Sequence, residues 1–227
     1  MPILQLTRRG LIWDETQAER VIDQFHHRQS LLLPALLEQA LVDVIQRGIE
    51  RAEFEERRHE AFATELCMRH HDCLDLLHFL VNDQRLFQLV ARVAGSLPVR
   101  IFVGRIYRHL PARHAATWHN DTLCDREIGM SVNLGAGPFQ GGTFEIRQVE
   151  TGRVLNAIAN VGLGDAILFR ISEKLEHRVT AVEGSIPKTA FAGWFSTAPD
   201  YVAALRSNLP GTLRASAPLQ ATPAPRS

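Results

Sequence analysis

Apolar and polar positions follow two different rhythms along this chain, and the change falls near residue 95. Before it, Ala35–Glu50 places Leu36, Leu37, Leu41, Val44 and Ile45 at separations of one, three and four, the stripe of an amphipathic helix. Asp14-Glu15-Thr16 opens a helical stretch to about His27, with acidic residues where the positive end of a helix favours them. Two more helical segments are expected at about Ala61–Met68 and Leu74–Ala94. Leu31-Leu32-Leu33-Pro34 interrupts them as a short extended piece, because the residue before a proline avoids the helical region.

After Gly95-Ser96-Leu97-Pro98 the chain becomes a series of short runs with strand composition. These are Val99–Arg108, Glu127–Leu134, Thr143–Gln148, Arg153–Ile158, Ala166–Ile171, Arg178–Val182 and Thr189–Ser196. Turn residues divide them, among them Gly135-Ala136-Gly137-Pro138, Gly141-Gly142, Thr151-Gly152 and Gly162-Leu163-Gly164-Asp165. Closely spaced short strands with such punctuation predict a sandwich or barrel rather than a parallel α/β sheet. The expected organisation is mainly β with N-terminal helices: a helical buttress over 1–98, a β core over 99–197, and a terminal segment over 198–227. That segment holds a short helix near Tyr201–Arg206 and a disordered Pro/Ala/Ser-rich tail from Ala215 to Ser227.

Composition narrows the function classes. Twenty-five basic and 25 acidic residues cancel, which disfavours nucleic acid as a partner, since phosphate binding needs a basic excess. No apolar run approaches the ~18–20 residues of a membrane span, and Met1–Leu6 lacks the features of a signal peptide. Three cysteines cannot all pair within one chain, so the expectation is a reducing, cytoplasmic setting.

The most informative string is Thr117-Trp118-His119-Asn120-Asp121. On an extended segment His119 and Asp121 project from the same face, so one imidazole and one carboxylate can meet one ion. His177, 58 residues downstream, is the candidate third ligand, because strands far apart in sequence lie side by side in a double-sheet roll. Two histidines and a carboxylate on one face of an ion form the facial triad of non-haem Fe(II) oxygenases. Against this stands a plainer reading: with ten histidines in the chain, His119 is a loop residue and Asp121 a turn acceptor.

Flanking features at consistent offsets give the triad its context. Arg105-Ile106-Tyr107-Arg108 precedes Trp118-His119-Asn120-Asp121. Gln140-Gly141-Gly142-Thr143-Phe144 and Gly164-Asp165-Ala166-Ile167-Leu168-Phe169 follow, then His177-Arg178-Val179-Thr180-Ala181-Val182, with Lys188 eleven residues past His177. Across roughly Val99–Phe195 this resembles the Fe(II)/2-oxoglutarate-dependent dioxygenase superfamily, and its lysine resembles the prolyl-hydroxylase-like branch. The resemblance implies a double-stranded β-helix (jelly-roll, cupin-like) core, Fe(II) on His119, Asp121 and His177, and 2-oxoglutarate and O₂ as cosubstrates. It also implies hydroxylation of a C–H bond with release of succinate and CO₂. Related halogenases replace the carboxylate ligand with a small residue, so Asp121 disfavours halogenation.

The distal carboxylate of 2-oxoglutarate needs a fixed cation inside the barrel, where an unpaired charge is costly. Lys188 is the candidate. Lysine is a point charge without a bidentate fork, so a hydroxyl should assist: Tyr107 first, Thr189 second. Asn133 is a candidate for the keto acid or for a neighbouring backbone group. Two departures from the family stand here, Ala190 where a serine is common and a loop about one residue longer before Lys188. Trp118 is a candidate for the metal pocket or for the core, and Arg147 for an anionic substrate group at the mouth or for the surface. Trp194 and Phe195 read as core, and Gly141-Gly142 as a turn with no chemical role.

One rival cluster, Cys67-Met68-Arg69-His70-His71-Asp72-Cys73, packs four zinc-type ligands too closely to surround one ion, and reads better as a helix connection. A cupin-like metal-binding protein, a sensor or isomerase without 2-oxoglutarate chemistry, is the competing functional class. The substrate class is a small molecule, amino acid or peptidyl group, received at a mouth formed by the N-terminal helices and the loop Leu110–Thr117. Oligomeric state is open between monomer and homodimer.

Overall fold

From the N-terminus the chain forms a hairpin, β1 (Leu4–Thr7) and β2 (Gly10–Trp13), then helix α1 (Ala18–Arg28) and strand β3 (Ser30–Leu33). Helix α2 (Gln39–Arg51), a second hairpin of β4 (Phe54–His59) and β5 (Ala63–Met68), and helices α3 (Asp72–Val81) and α4 (Gln84–Ala94) follow. The rest is β: β6 (Ile101–His109), β7 (Arg126–Asn133), β8 (Gln140–Gly141), β9 (Phe144–Gln148), β10 (Val154–Ile158), β11 (Ala166–Arg170), β12 (Leu175–Val179), β13 (Val182–Glu183) and β14 (Lys188–Ser196). This computed structural model describes residues 2–59, 63–96, 98–114, 116–122, 125–159 and 162–197. The helix expected near Tyr201–Arg206 and the tail Ala215–Ser227 lie outside the described residues.

Local chemistry explains most boundaries. Asp14 accepts a 3.0 Å hydrogen bond from the Thr16 amide and starts the turn that leads into α1, which ends where Gln29 adopts a left-handed φ of 57°. Asp83 accepts from the Arg85 amide at 2.7 Å and opens α4. Asn82-Asp83 therefore splits the single segment expected over Leu74–Ala94 into two helices. The expectation of a helix at Ala61–Met68 is corrected: residues 63–68 are a strand. Glu, Leu and Met favour helices in isolation, but pairing with β4 and with β6 (Leu66 opposite Arg108, Cys67 opposite Tyr107) overrides that preference.

Seven strands pair in one antiparallel sheet, ordered β3-β11-β7-β14-β6-β5-β4, and three in a smaller sheet, β10-β9-β12. The large sheet packs apolar side chains on both faces. On one, Phe102, Ile106, Ile128, Val132, Phe191 and Phe195 pack against the apolar stripes of the helices, among them Val21, Phe25, Ile45, Leu77, Leu86 and Val90. On the other, Ile167, Phe169 and Ile171 pack with Phe144, Ile146 and Leu175 of the small sheet. Each such residue contributes about 1.5–3 kcal/mol on burial. Residues directly opposite in neighbouring strands share a face, so Lys188, Ala190, Ala192 and Trp194 of β14 lie on the inner face with His109, Tyr107, Arg105 and Val103 of β6.

Candidate metal centre

His177 sits in the middle of β12, and the segment before Asp121 runs along its free edge. Ala116 donates its amide to Val179 O at 3.1 Å, and His119 and His177 exchange both backbone hydrogen bonds at 3.1 and 2.8 Å. The two imidazoles are thereby set side by side, ring centroids 4.4 Å apart. Side chains alternate along the segment. Trp118 points the other way, to the outer face of the small sheet, and Asp121 comes back to the histidines.

The three ligand-type atoms lie within 4.8 Å of one another. His177 Nε2 stands 3.4 Å from Asp121 Oδ2, and His119 Nε2 stands 3.9 Å from Asp121 Oδ1. His119 Nδ1 lies 2.7 Å from Thr117 O. A carbonyl only accepts, so Nδ1 holds the proton and Nε2 offers its lone pair to an ion. Burial works against ionisation of Asp121, but the hydrogen bond and charge of His177, the charge of His119 and a hydrogen bond from Trp194 hold its carboxyl well below the usual range. The His177 ring packs against Phe144 (5.8 Å, stacked) and Phe169 (4.6 Å). Gly129 makes room for this, because a Cβ there would lie 2.0 Å from the Phe169 ring. One ionised carboxylate and two imidazoles whose Nε2 atoms face it suit a divalent iron ion, with positions left for other ligands.

Lys188 is 2 % exposed. Its Nζ donates to Gly142 O at 2.7 Å and stands 5.5 Å from the Phe139 ring centroid, with no ion pair to it among the described residues. Burial alone pulls its pKa down from 10.5 to about 8. The Gly141-Gly142 turn, read above as having no chemical role, is what supplies that carbonyl. Both glycines have positive φ, and a Cβ on Gly142 would lie 3.1 Å from Lys188 Cδ.

The other candidates divide. Tyr107 shares the inner face with Lys188; burial pushes its hydroxyl up to about 12, and Ser131 hydrogen-bonds it. Asn133 is buried on the same face, but its amide serves loop backbone, donating to Gly162 O at 3.1 Å and accepting from the Gly135 amide at 3.0 Å. Thr189 is corrected: the alternation of β14 turns it to the opposite face from Lys188, where its hydroxyl accepts from Arg108 Nε at 3.1 Å. Trp118 and Arg147 are corrected as pocket residues. The Trp118 ring lies against the guanidinium carbons of Arg147 (4.2 Å) and Arg178 (4.5 Å), which pair with Glu176 and Glu145 at 2.7 Å on the outer face of the small sheet.

Trp194 is the main residue missed. Its Nε1 donates to Asp121 Oδ2 at 2.6 Å. Its even separation from Lys188 on one strand was the available signal. A buried pair, Arg105 Nε to Glu65 Oε1 at 2.6 Å, was also missed. Despite burial, the Glu65 carboxylate raises the Arg105 pKa.

No protein-family model matches the chain, and no curated protein matches it in sequence. Solved structures do match. An oxidoreductase of the 2OG-Fe(II) oxygenase family from Burkholderia pseudomallei is similar at TM-score 0.59 and 19 % identity, over 85 % of this chain and 95 % of that one. A prolyl-4-hydroxylase from Pseudomonas putida gives 0.57 and 15 %, over 79 % and 98 %. SnoN, a non-haem alpha-ketoglutarate-dependent epimerase from nogalamycin biosynthesis, gives 0.61 and 19 %, over 91 % and 96 %. At these identities the likeness establishes the fold. It is the fold of the 2OG-Fe(II) oxygenases, and within it the chain carries a His-Asp-His cluster able to hold a metal ion.

Proposed function

We propose that the chain is an Fe(II)- and 2-oxoglutarate-dependent oxygenase with a double-stranded β-helix core, which hydroxylates a C–H bond of a small molecule, amino acid or peptidyl substrate. One observation supports this over a cupin-like binding protein: a buried lysine with no counter-charge among the described residues shares a strand face with the tryptophan that holds the ligand carboxylate. Only Ala190 and Ala192 stand between Lys188 and Trp194 on that face. The smallest side chains thus line the way from cation to metal ligands, as a keto diacid would require. An isolated buried ammonium is costly, and the distal carboxylate of 2-oxoglutarate removes that cost.

In this reading His119 Nε2, His177 Nε2 and an Asp121 oxygen bind iron, Trp194 fixes the carboxylate, Lys188 anchors the cosubstrate, and Phe144 and Phe169 keep water from His177. The iron supplies oxygen activation, with oxidative decarboxylation of 2-oxoglutarate to succinate and CO₂. Strands β3, β4 and β5 extend the large sheet, so the N-terminal 98 residues and the core are one folding unit. The buried free thiols of Cys67 and Cys73 fit a reducing compartment such as the cytoplasm, and no helix of the described residues is long and apolar enough to cross a membrane.

Anaerobic Fe(II) protein mixed with 2-oxoglutarate should give a weak visible charge-transfer band, and air should then release succinate. Absence of both overturns the reading in favour of the cupin-like class. Screening candidate compounds for stimulated succinate release identifies the substrate.

A further inference from the structure

We infer that His109 is a second donor, beside Lys188, to the distal carboxylate of 2-oxoglutarate; the inference rests on the oxygenase reading above. His109 ends β6 directly opposite Lys188 of β14. Directly opposed side chains on one face of a sheet are nearest neighbours. The histidine is 3 % exposed, and its Nδ1 is fully buried without a hydrogen-bond partner. A buried polar atom left unsatisfied destabilises a fold, so such an atom calls for a partner that binds there.

Among the described residues, no neighbouring side chain accepts from His109 Nδ1. The Tyr107 ring lies 4.8 Å from the His109 ring, but its hydroxyl is engaged with Ser131. His114, 6.0 Å away, accepts the Leu110 amide on Nδ1 at 3.0 Å. Its proton is therefore on Nε2, and that atom too is buried without a partner. Glu65, the acid whose field reaches His109, is bonded to Arg105 and to the Cys67 thiol. Beside Lys188, whose Nζ reaches only the Gly142 carbonyl, two buried imidazole nitrogens thus stand without partners among the described residues. Burial pushes the His109 pKa down to about 3, so the ring stays neutral and offers a single N–H. Lysine holds one oxygen as a point charge, and a neighbouring N–H holds the other and sets the carboxylate plane.

The test compares 2-oxoglutarate with 2-oxobutyrate, which has the same keto acid end and no distal carboxylate. Dissociation constants come from the charge-transfer band of anaerobic Fe(II) protein. His109→Phe should weaken 2-oxoglutarate roughly tenfold to a hundredfold, the loss of one hydrogen bond to a charged group, and leave 2-oxobutyrate and Fe(II) affinity unchanged. His109→Gln, which keeps an N–H donor, should stay within a few-fold of wild type. Equal weakening of both acids, or no weakening of either, overturns the inference. Should the variants misfold, the wild-type Zn(II) protein decides: the ¹⁵N shift of the His109 ring must move with 2-oxoglutarate and not with 2-oxobutyrate. A wild-type protein that binds no 2-oxoglutarate rejects the oxygenase reading itself, whereas normal binding with an indifferent His109 rejects this inference alone.

Discussion

Trp194 Nε1 and Asp121 Oδ2 are joined by a 2.6 Å hydrogen bond across 73 residues of chain. It ties a candidate ligand carboxylate on a loop to the central strand of the large sheet. The bond leaves Oδ1 facing His119 and sets the carboxylate between the two imidazoles.

Trp194→Phe keeps the ring and removes the donor. Such outer partners of metal ligands typically matter 10- to 100-fold in affinity. We expect an anaerobic Fe(II) titration to show a loss of about tenfold, with thermal unfolding little changed. Wild-type affinity in the variant would mean that backbone geometry alone orients Asp121.

Asp121→Gly removes the carboxylate but leaves both histidines and their backbone bridge. Hydroxylation and succinate release should disappear together. Full retention of activity would take Asp121 out of the ligand set.

As the proposed anchor of 2-oxoglutarate, Lys188 would make cosubstrate binding depend on pH. In the unfolded chain the ammonium keeps its proton up to about 10.5, and in the folded protein only to about 8. Between those values the unfolded state binds more protons, so the ligand-free protein gains stability as pH rises from 8 to 10.5. Binding of 2-oxoglutarate runs the other way. It needs the charged lysine, so affinity is full below about pH 8 and falls roughly tenfold per pH unit above it. Calorimetry on Zn(II)-loaded protein between pH 7 and 9.5 measures this. Lys188→Arg, which cannot lose its proton in that range, should flatten the profile; a flat wild-type profile would contradict the anchor.

These relationships were unequally legible in the sequence. Six of the seven core strands expected from composition end within two residues of those observed, because short β-branched and aromatic runs between glycine turns leave few alternatives. Arg178–Val182 was placed late; the strand is Leu175–Val179, which puts His177 at its centre rather than its start. Residues 63–68 were misread because strand pairing with β6 is a tertiary fact that local propensity does not contain. The triad was readable from the parity of His119 and Asp121. Thr189 failed the same parity test against Lys188, and applying it along β14 would have turned Trp194 from core residue into carboxylate partner.

Glu65→Gln tests the buried pair with Arg105. Removing one charge leaves the other buried without compensation, which costs about 3–5 kcal/mol. Urea unfolding should show a loss of that size, and Glu65→Leu with Arg105→Met should recover most of it. A loss under about 1 kcal/mol would mean the guanidinium behaves as an exposed surface pair does.

Trp118 tests whether the outer face of the small sheet positions the proposed ligand His119 on its inner face. The indole packs against both Arg147 and Arg178, and each arginine is aligned by a glutamate on the neighbouring strand. The ion pairs are partly exposed and contribute little by themselves; their role is to hold two flat cations against one ring. Stacking of this kind is worth about 0.5–2 kcal/mol per contact. Trp118→Leu should therefore lower stability by about 1–3 kcal/mol. It should also weaken Fe(II) roughly tenfold, because His119 is the next residue and its segment would lose its stacked hold on β9 and β12. Arg147→Met with Arg178→Met should reproduce the metal effect while the tryptophan remains. If Trp118→Leu loses stability and keeps full Fe(II) affinity, the paired amides of His119 and His177 suffice to place the ligands.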